Sequence, residues 1–453
     1  MNQKKAAPSA QKRPRFETPP PPPPGLAARQ AAAAAFADVV ANGRSLDERF
    51  AADSHFSLDV RDRALARSIV VASLRRLGTI RAALARFLER GLPKKAGPLE
   101  YILTTSAAQI LFMDVPDHAA VDLAVHAARA DQRSAPFAAL VNAVLRNIAR
   151  EKESMLAVED PFLDMPMWLA ARWRKAYGED VAARMAVMLR HEPTLDLTVC
   201  GDGQEWADKI GGIVLPTGSV RLVNRAAIEE LPGYAEGQWW VQDAAAALPA
   251  RLLNVRSGER VADLCAAPGG KSAQLAAAGA EVVALDKSAE RLRRLAVNFE
   301  RLRLPVDIAV GDALTFEAQP FDAILLDAPC SATGTIRRHP DVAWVKRASD
   351  IAALALVQAK MLERACGMLK PGGRLVYCTC SLEAEEGPAQ IAALLRRNPD
   401  MVRLPVSADE IGGMSECLTA EGEVRTMPIH LPNDDSRLAG LDGFFMARLQ
   451  RKS

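Results

Sequence analysis

From residue 259 onward one pattern recurs five times: a short apolar run that closes on an acid or a cysteine, followed by a helical stretch. The runs are ERVADLC, EVVALD, PVDIAVGD, FDAILLD and GGRLVYCTC. Strands that are apolar on both faces need helices over both, and alternating βα units join as parallel neighbours. The pattern therefore predicts an α/β, Rossmann-like, doubly wound sheet over residues 251–453. Ligands of such sheets bind outside the carboxyl ends of the strands, which makes the residues closing these runs the first candidates for chemistry.

The chain before this point reads differently. In RDRALARSIVVASLRRLGTIRAALARFL, Ala64, Ile69, Val70, Leu74, Leu77, Ile80 and Leu84 recur at helical spacing. No strand pattern interrupts the stretch 26–155, so an all-α domain is expected there. Arg61, Arg63, Arg67, Arg75, Arg76, Arg81 and Arg86 fall largely off the apolar stripe, as either a phosphate-binding face or a solvated surface. Residues 1–25, with Lys4, Lys5, Lys12, Arg13, Arg15 and the run Pro19–Pro24, cannot build a core and read as a disordered basic tail. Residues 156–190 read as a helical linker. Pro193 and the strand-like LDLTVCGD then open a small subdomain over 191–250.

Lys and Arg total 57 against 55 Asp and Glu, so a nucleic-acid partner would have to be held by local patches. Seven cysteines without framework spacing suggest a reducing compartment. Neither an apolar leader nor a membrane span is readable, and a cytoplasmic monomer is the expectation.

The first candidate ligand loop is CAAPGGKSAQLA, directly after a strand. Its residues Cys265, Ala266, Ala267, Pro268, Gly269, Gly270 and Lys271 combine a helix-delaying turn with backbone amides open to a ligand. The spacing is neither that of a P-loop nor G-x-G-x-x-G, which disfavours a dinucleotide oxidoreductase. Asp286, Asp312 and Asp327 close the next three runs. A carboxylate at such a position accepts hydrogen bonds from ribose hydroxyls, and three lining one crevice point to an adenosine-containing cofactor.

After the fourth run comes DAPCSATGTIRRHPDVAW, and the fifth ends YCTCSLEAEEG. Cys330 and Cys380 thus sit at the ends of two runs one helix apart, where both thiols can face one crevice. A thiolate adding to C6 of a pyrimidine turns C5 into an enamine carbon that accepts a methyl group. Such a reaction also needs a proton donor near N3. Asp327, as an acid kept protonated in a dry pocket, is placed for that role. The residues alone do not say which thiol attacks. Cys265, Cys366, Cys378 and Cys417 read as packing residues, and no zinc-site spacing is present. Arg337, Arg338 and His339 could grip phosphates around a flipped-out base, with Trp344 as a packing or stacking surface.

Together VQDAAA, DLCAAPGGKS, ALDKS, GDA, LDAPCSATGTIRRHPDVAW, YCTCSLEAEEG and DGFFMARL resemble the Sun-type RNA cytosine-C5 methyltransferases. The match spans about Gln238 to Arg448. LEYILTTSAAQILFMDVPDHAAVDLAVHAAR and LVNAVLRNIARE resemble the NusB-type RNA-binding domain found on the branch that modifies 16S (small-subunit) ribosomal RNA. The resemblance implies Cys380 as nucleophile, Cys330 as the residue needed for product release, and Asp327 as the N3 partner. It further implies S-adenosylmethionine as cofactor at Cys265–Lys271, Asp286, Asp312 and Asp327, 16S ribosomal RNA as substrate, and no metal. Ala332 stands where that family usually has glycine, and Gly387 where it has asparagine. The rival reading is a ribosome-assembly or antitermination-like RNA-binding factor that holds the cofactor without turnover; it has no need of either thiol.

Overall fold

A computed structural model describes residues 22–51, 58–224 and 226–453. The basic leader expected over 1–25 lies almost wholly outside them. Before Asp196 the described residues form helices and connecting turns only. The helix Leu99–Phe112 shows why this half closes into a bundle: eleven of its fourteen residues are buried, as befits a helix flanked by packing partners on several sides. Its polar side chains donate back along the helix, Thr104 to Glu100 O and Thr105 to Tyr101 O at 2.8 Å each, and Gln109 to Thr105 O at 3.0 Å.

The stretch expected to be a linker is a packed wedge. Its helices Met167–Tyr177 and Glu179–Met188 bury Leu169, Trp173 and Met185 in a core shared with Ile336 and Leu382. Those two residues follow Cys330 and Cys380, so the wedge supports both cysteine loops.

A small antiparallel sheet follows, ordered β2-β3-β1-β4, with β1 Asp196–Val199, β2 Gly212–Val214, β3 Val220–Leu222 and β4 Trp239–Val241. Asp196 stands opposite Arg221 in the β1–β3 register. Their side chains form a two-pronged ion pair at 2.6 and 2.8 Å with neither exposed.

The main sheet has β5 Arg260–Leu264, β6 Glu281–Asp286, β7 Asp307–Val310, β8 Phe321–Asp327 and β9 Leu369–Thr379, all parallel. β10 Met401–Arg403, β11 Val424–Thr426 and β12 Phe444–Arg451 add an antiparallel edge. The order is β10-β12-β9-β8-β5-β6-β7, with β11 also on β12. Alternate residues feed separate cores on the two faces: Val261, Leu325, Val376 and Met446 on one, Ala262, Leu326, Leu375 and Phe445 on the other. That two-sided burial is the physical content of the continuous apolar runs. Strand order reverses between β5 and β8, and a crevice opens at their carboxyl ends, as this topology requires.

Candidate active site

A cleft of about 750 Å³ lies over this reversal. The helical half contributes Arg67 and Arg75 to its wall, the small-sheet region Tyr234 and Trp240, and the main sheet Gly269, Gly270, Lys271, Asp327 and Cys380.

On the β5 side the chain leaves the strand through Cys265 at φ 67 and turns at Gly269 at φ 103. A side chain at Gly269 would be strained by that angle and would meet Leu295 Cγ at 2.8 Å. The helix Gly270–Ala277 starts there. Ala266, Ala267, Pro268, Gly269, Gly270 and Lys271 line the cleft, whereas Cys265 does not; burial pushes its thiol up to about 12.

The three strand-end carboxylates part company. Asp327 lines the cleft. Asp286 is buried behind the turn, accepting from Ala267 N at 3.3 Å and Ser288 N at 2.9 Å, with Arg291 at 3.2 Å. Asp312 is exposed and caps its own turn, accepting from Leu314 N at 2.9 Å. A carboxylate that the sequence reading passed over joins Asp327 in the cleft lining: Asp263, an acid inside an apolar strand. It accepts from Ser272 Oγ at 2.5 Å and keeps a buried Oδ1 with no hydrogen-bond partner. Burial, opposed by the Ser272 hydrogen bond, pushes its carboxyl up to about 7.

Asp327, expected in a dry pocket, is half-buried and ion-paired. Lys271 Nζ stands 2.7 Å from its Oδ2, and Cys378 Sγ donates to its Oδ1 at 3.5 Å. Burial lowers the Lys271 pKa, but Asp327 outweighs it, so the ammonium is held more firmly than usual.

Cys330 and Cys380 lie with their sulfurs 3.4 Å apart. Cys380 lines the cleft, whereas Cys330, equally half-buried, is not part of its lining. The hydrogen bond to Cys380, and then burial, raise the Cys330 thiol well above its ordinary range. Cys330 is therefore a protonated thiol at neutral pH.

Of the residues expected to grip phosphates, Arg337 is buried inside the protein, whereas Arg338 lines the cleft with its guanidinium engaged by carboxylates. Arg337 is 1% exposed, bonded to Asp243 Oδ2 at 3.0 Å, Asp442 Oδ1 at 3.3 Å and Ala439 O at 3.1 Å. Arg338 reaches Asp243 at 2.6 Å, Asp196 at 3.2 Å and Thr194 O at 3.0 Å. Unpaired buried carboxylates would be costly, and these two guanidiniums together with Arg221 pair with three of them, Asp196, Asp243 and Asp442. His339 lies beside Arg338 in the cleft wall, with Asp47 3.6 Å away. Trp344 packs: its Nε1 donates to Leu74 O at 2.9 Å. Several helical-half arginines also have partners, Arg76 with Asp164 at 3.0 Å and Arg86 with Glu151 at 2.8 Å. Arg75 Nη1 donates to Leu189 O, His191 O and Arg337 O at 2.9 to 3.0 Å, tying the helical half to the segment after Cys330.

The model of the 16S rRNA methyltransferase RsmB/F family matches residues 250–450, and the NusB family model matches 26–150. A ribosomal RNA small subunit methyltransferase B of Xanthomonas campestris pv. campestris is 39% identical over 82% of this chain and 88% of its own length. Its namesake in Klebsiella pneumoniae subsp. pneumoniae is 37% identical over 81% and 89%. The chain belongs to the RsmB/F family of 16S rRNA methyltransferases. The crystal structure of PH0851, 22% identical, shares the fold with a TM-score of 0.70 over 95% of this chain and 99% of that one. An all-α NusB-type half followed by a Rossmann-like methyltransferase half is thus the architecture of this RsmB/F chain.

Proposed function

We propose that this chain transfers a methyl group from S-adenosylmethionine to C5 of a cytosine in 16S ribosomal RNA, through a covalent bond between Cys380 and C6, as a cytoplasmic monomer. The carrying observation is the thiol pair: two sulfurs 3.4 Å apart, of which Cys380 faces the cleft beside Asp327 and the Ala266–Lys271 turn.

The turn fits the cofactor. The amides opening the helix Gly270–Ala277 border the cleft, and the unpartnered Oδ1 of Asp263 beneath them is an acceptor suited to an ammonium. Asp286, braced behind the turn, supports it. Bound S-adenosylmethionine supplies an electrophilic methyl group.

Cys380 forms the S–C6 bond, and the electron pair of the C5–C6 bond becomes the nucleophile at C5. Asp327 and Lys271 meet the N3 edge, with Lys271 holding the proton of the pair. After methylation a base takes the C5 proton and the C6–S bond breaks, returning Cys380 as a thiolate. The protonated Cys330 is within hydrogen-bonding distance of that leaving sulfur, which suits it to release. The cleft wall that the helical half contributes, with Arg67, fits RNA lying across both halves of the chain.

The test is methyl transfer to unmodified 16S ribosomal RNA, read as 5-methylcytosine by mass spectrometry. Wild type should give product, Cys380→Ala neither product nor adduct, and Cys330→Ala a protein–RNA adduct that survives denaturing electrophoresis. Exchanged phenotypes of the two variants would reverse the assignment of the thiols, and a wild type without 5-methylcytosine would end this reading in favour of a non-catalytic RNA-binding factor.

A further inference from the structure

Each of the two cysteines is followed by a serine, and both serines turn away from the cleft onto one buried carboxyl group. Glu386 is 0% exposed. Its Oε1 accepts from Ser331 N at 2.9 Å and from Gln358 Nε2 at 3.1 Å. Its Oε2 accepts from Ser381 Oγ at 2.5 Å and from Ser331 Oγ. The two hydroxyls also touch each other at 3.2 Å. The backbone is anchored as well: Glu386 O accepts from Tyr377 OH at 2.8 Å and Thr379 Oγ1 at 3.1 Å, both on β9. Gln358 donates a further bond to Pro329 O at 2.9 Å, on the Cys330 side. Outside this network the two loops are joined by Gly334 N to Cys380 O at 3.0 Å and Leu382 N to Thr333 Oγ1 at 3.1 Å.

We infer that Glu386 is a positioning residue, a yoke whose two oxygens hold the Cys330 and Cys380 loops in the register that brings their sulfurs together. Ser331 and Ser381 are fifty residues apart in the chain, and both converge on Oε2. Glu386 does not line the cleft, so it touches neither RNA nor cofactor. Its effect runs through the thiols, and the inference rests on the cysteine chemistry proposed above. A carboxyl group with several buried donors on it cannot be removed without orphaning them, and a displacement of about 1 Å in a reacting group can cost about 100-fold in rate.

Two variants separate positioning from mere folding. Glu386→Gln keeps the volume and one carbonyl acceptor. The double variant Ser331→Ala, Ser381→Ala removes the two hydroxyls and leaves Glu386 in place, so the idea stays testable if the first variant folds poorly. Both should lower kcat about 10- to 100-fold while KM for RNA stays within about twofold of wild type. Independently of methyl transfer, the rate at which diamide oxidises the pair to a Cys330–Cys380 disulfide, two thiols giving up two protons and two electrons to the diazene, reports the sulfur separation. Peptide mass spectrometry should show it slowed about tenfold or more in both variants, by the same geometric argument. Wild-type kcat together with a wild-type disulfide rate would overturn the yoke. A wild type that makes no 5-methylcytosine would instead sink the reading of function, and the disulfide rate would still decide the role of Glu386.

Discussion

On the β5 and β6 side of the cleft, the glycine turn rests on backbone geometry and on Asp286 behind it, and it leaves an acid with a free oxygen, Asp263, beneath an open surface. On the β8 and β9 side, the two cysteine loops are bound to each other through Glu386. They are also bound to distant parts of the chain through Arg337, Arg338, Arg75 and the wedge helix Met167–Tyr177, whose Trp173 donates to Glu383 at 3.2 Å. A surface that takes a small ligand can leave polar groups for that ligand to satisfy. A surface that must keep two side chains in register cannot, because loose loops would lose the alignment that makes the thiols a pair. On the proposed function, the difference between the sides is one between a site that its ligand would complete and a site that the protein completes itself.

The largest effect that could break this contrast is on the thiol side. Asp243 is 4% exposed at its side chain and answers both Arg337 and Arg338. Burial works to raise its pKa, but the two guanidiniums outweigh it and hold the carboxyl well below its usual range. Asp243→Ala should cost about 3–5 kcal/mol of stability by breaking the buried pairs and leaving the two arginines only Asp442 and Asp196, read as a fall in the urea midpoint. A loss under about 1 kcal/mol, the range of an exposed pair, would mean the struts are dispensable.

On the turn side the expected effect depends on pH. An acid whose folded pKa is about 7 against an ordinary 3.8 binds its proton more tightly folded than unfolded. Stability from this group is therefore full below about pH 4, falls as pH rises from 4 to 7, and is flat above. The loss is on the order of 4 kcal/mol, at 1.36 kcal/mol per unit. Asp263→Asn should raise the urea midpoint at pH 8 and leave it nearly unchanged at pH 4. An equal shift at both values would show that Asp263 is not carrying a charge penalty.

The two sides were also unequally legible. The strand ends, the glycine turn and the positions of Cys330 and Cys380 follow from local pattern, because a strand buried on both faces advertises itself and its end is fixed by where the run stops. The supports are not local. Arg337 looks like a phosphate gripper in RRHP until Asp243 and Asp442 arrive from 94 and 105 residues away. Glu386 lies in the acidic stretch EAEE, where nothing local marks one acid for burial, and part of what holds it, Ser331 and Gln358, comes from 55 and 28 residues upstream. The one local signal available was Asp263, an acid in the middle of an apolar strand, where an unpaired charge is too costly to be accidental.

The smallest effect concerns Ala332, where the family usually has glycine. Its φ of 60 places an alanine in the left-handed region two residues after Cys330, at the start of the turn Thr333–Thr335. The strain of a side chain there, about 1–2 kcal/mol, exceeds the extra chain entropy that glycine loses on folding, about 0.5–1 kcal/mol. Ala332→Gly should therefore stabilise the protein by about 0.5–1 kcal/mol, seen as a higher urea midpoint. The thiol side tolerates the strain because Ala332 O is held by Thr335 N and Thr335 Oγ1 at 2.9 Å each, and Ser331 next to it is fixed on Glu386. If the midpoint falls instead, the freedom of glycine has cost the Cys330 loop more than the strain did. The rigidity of that loop would then reside in residue 332 itself as well as in the bonds around it.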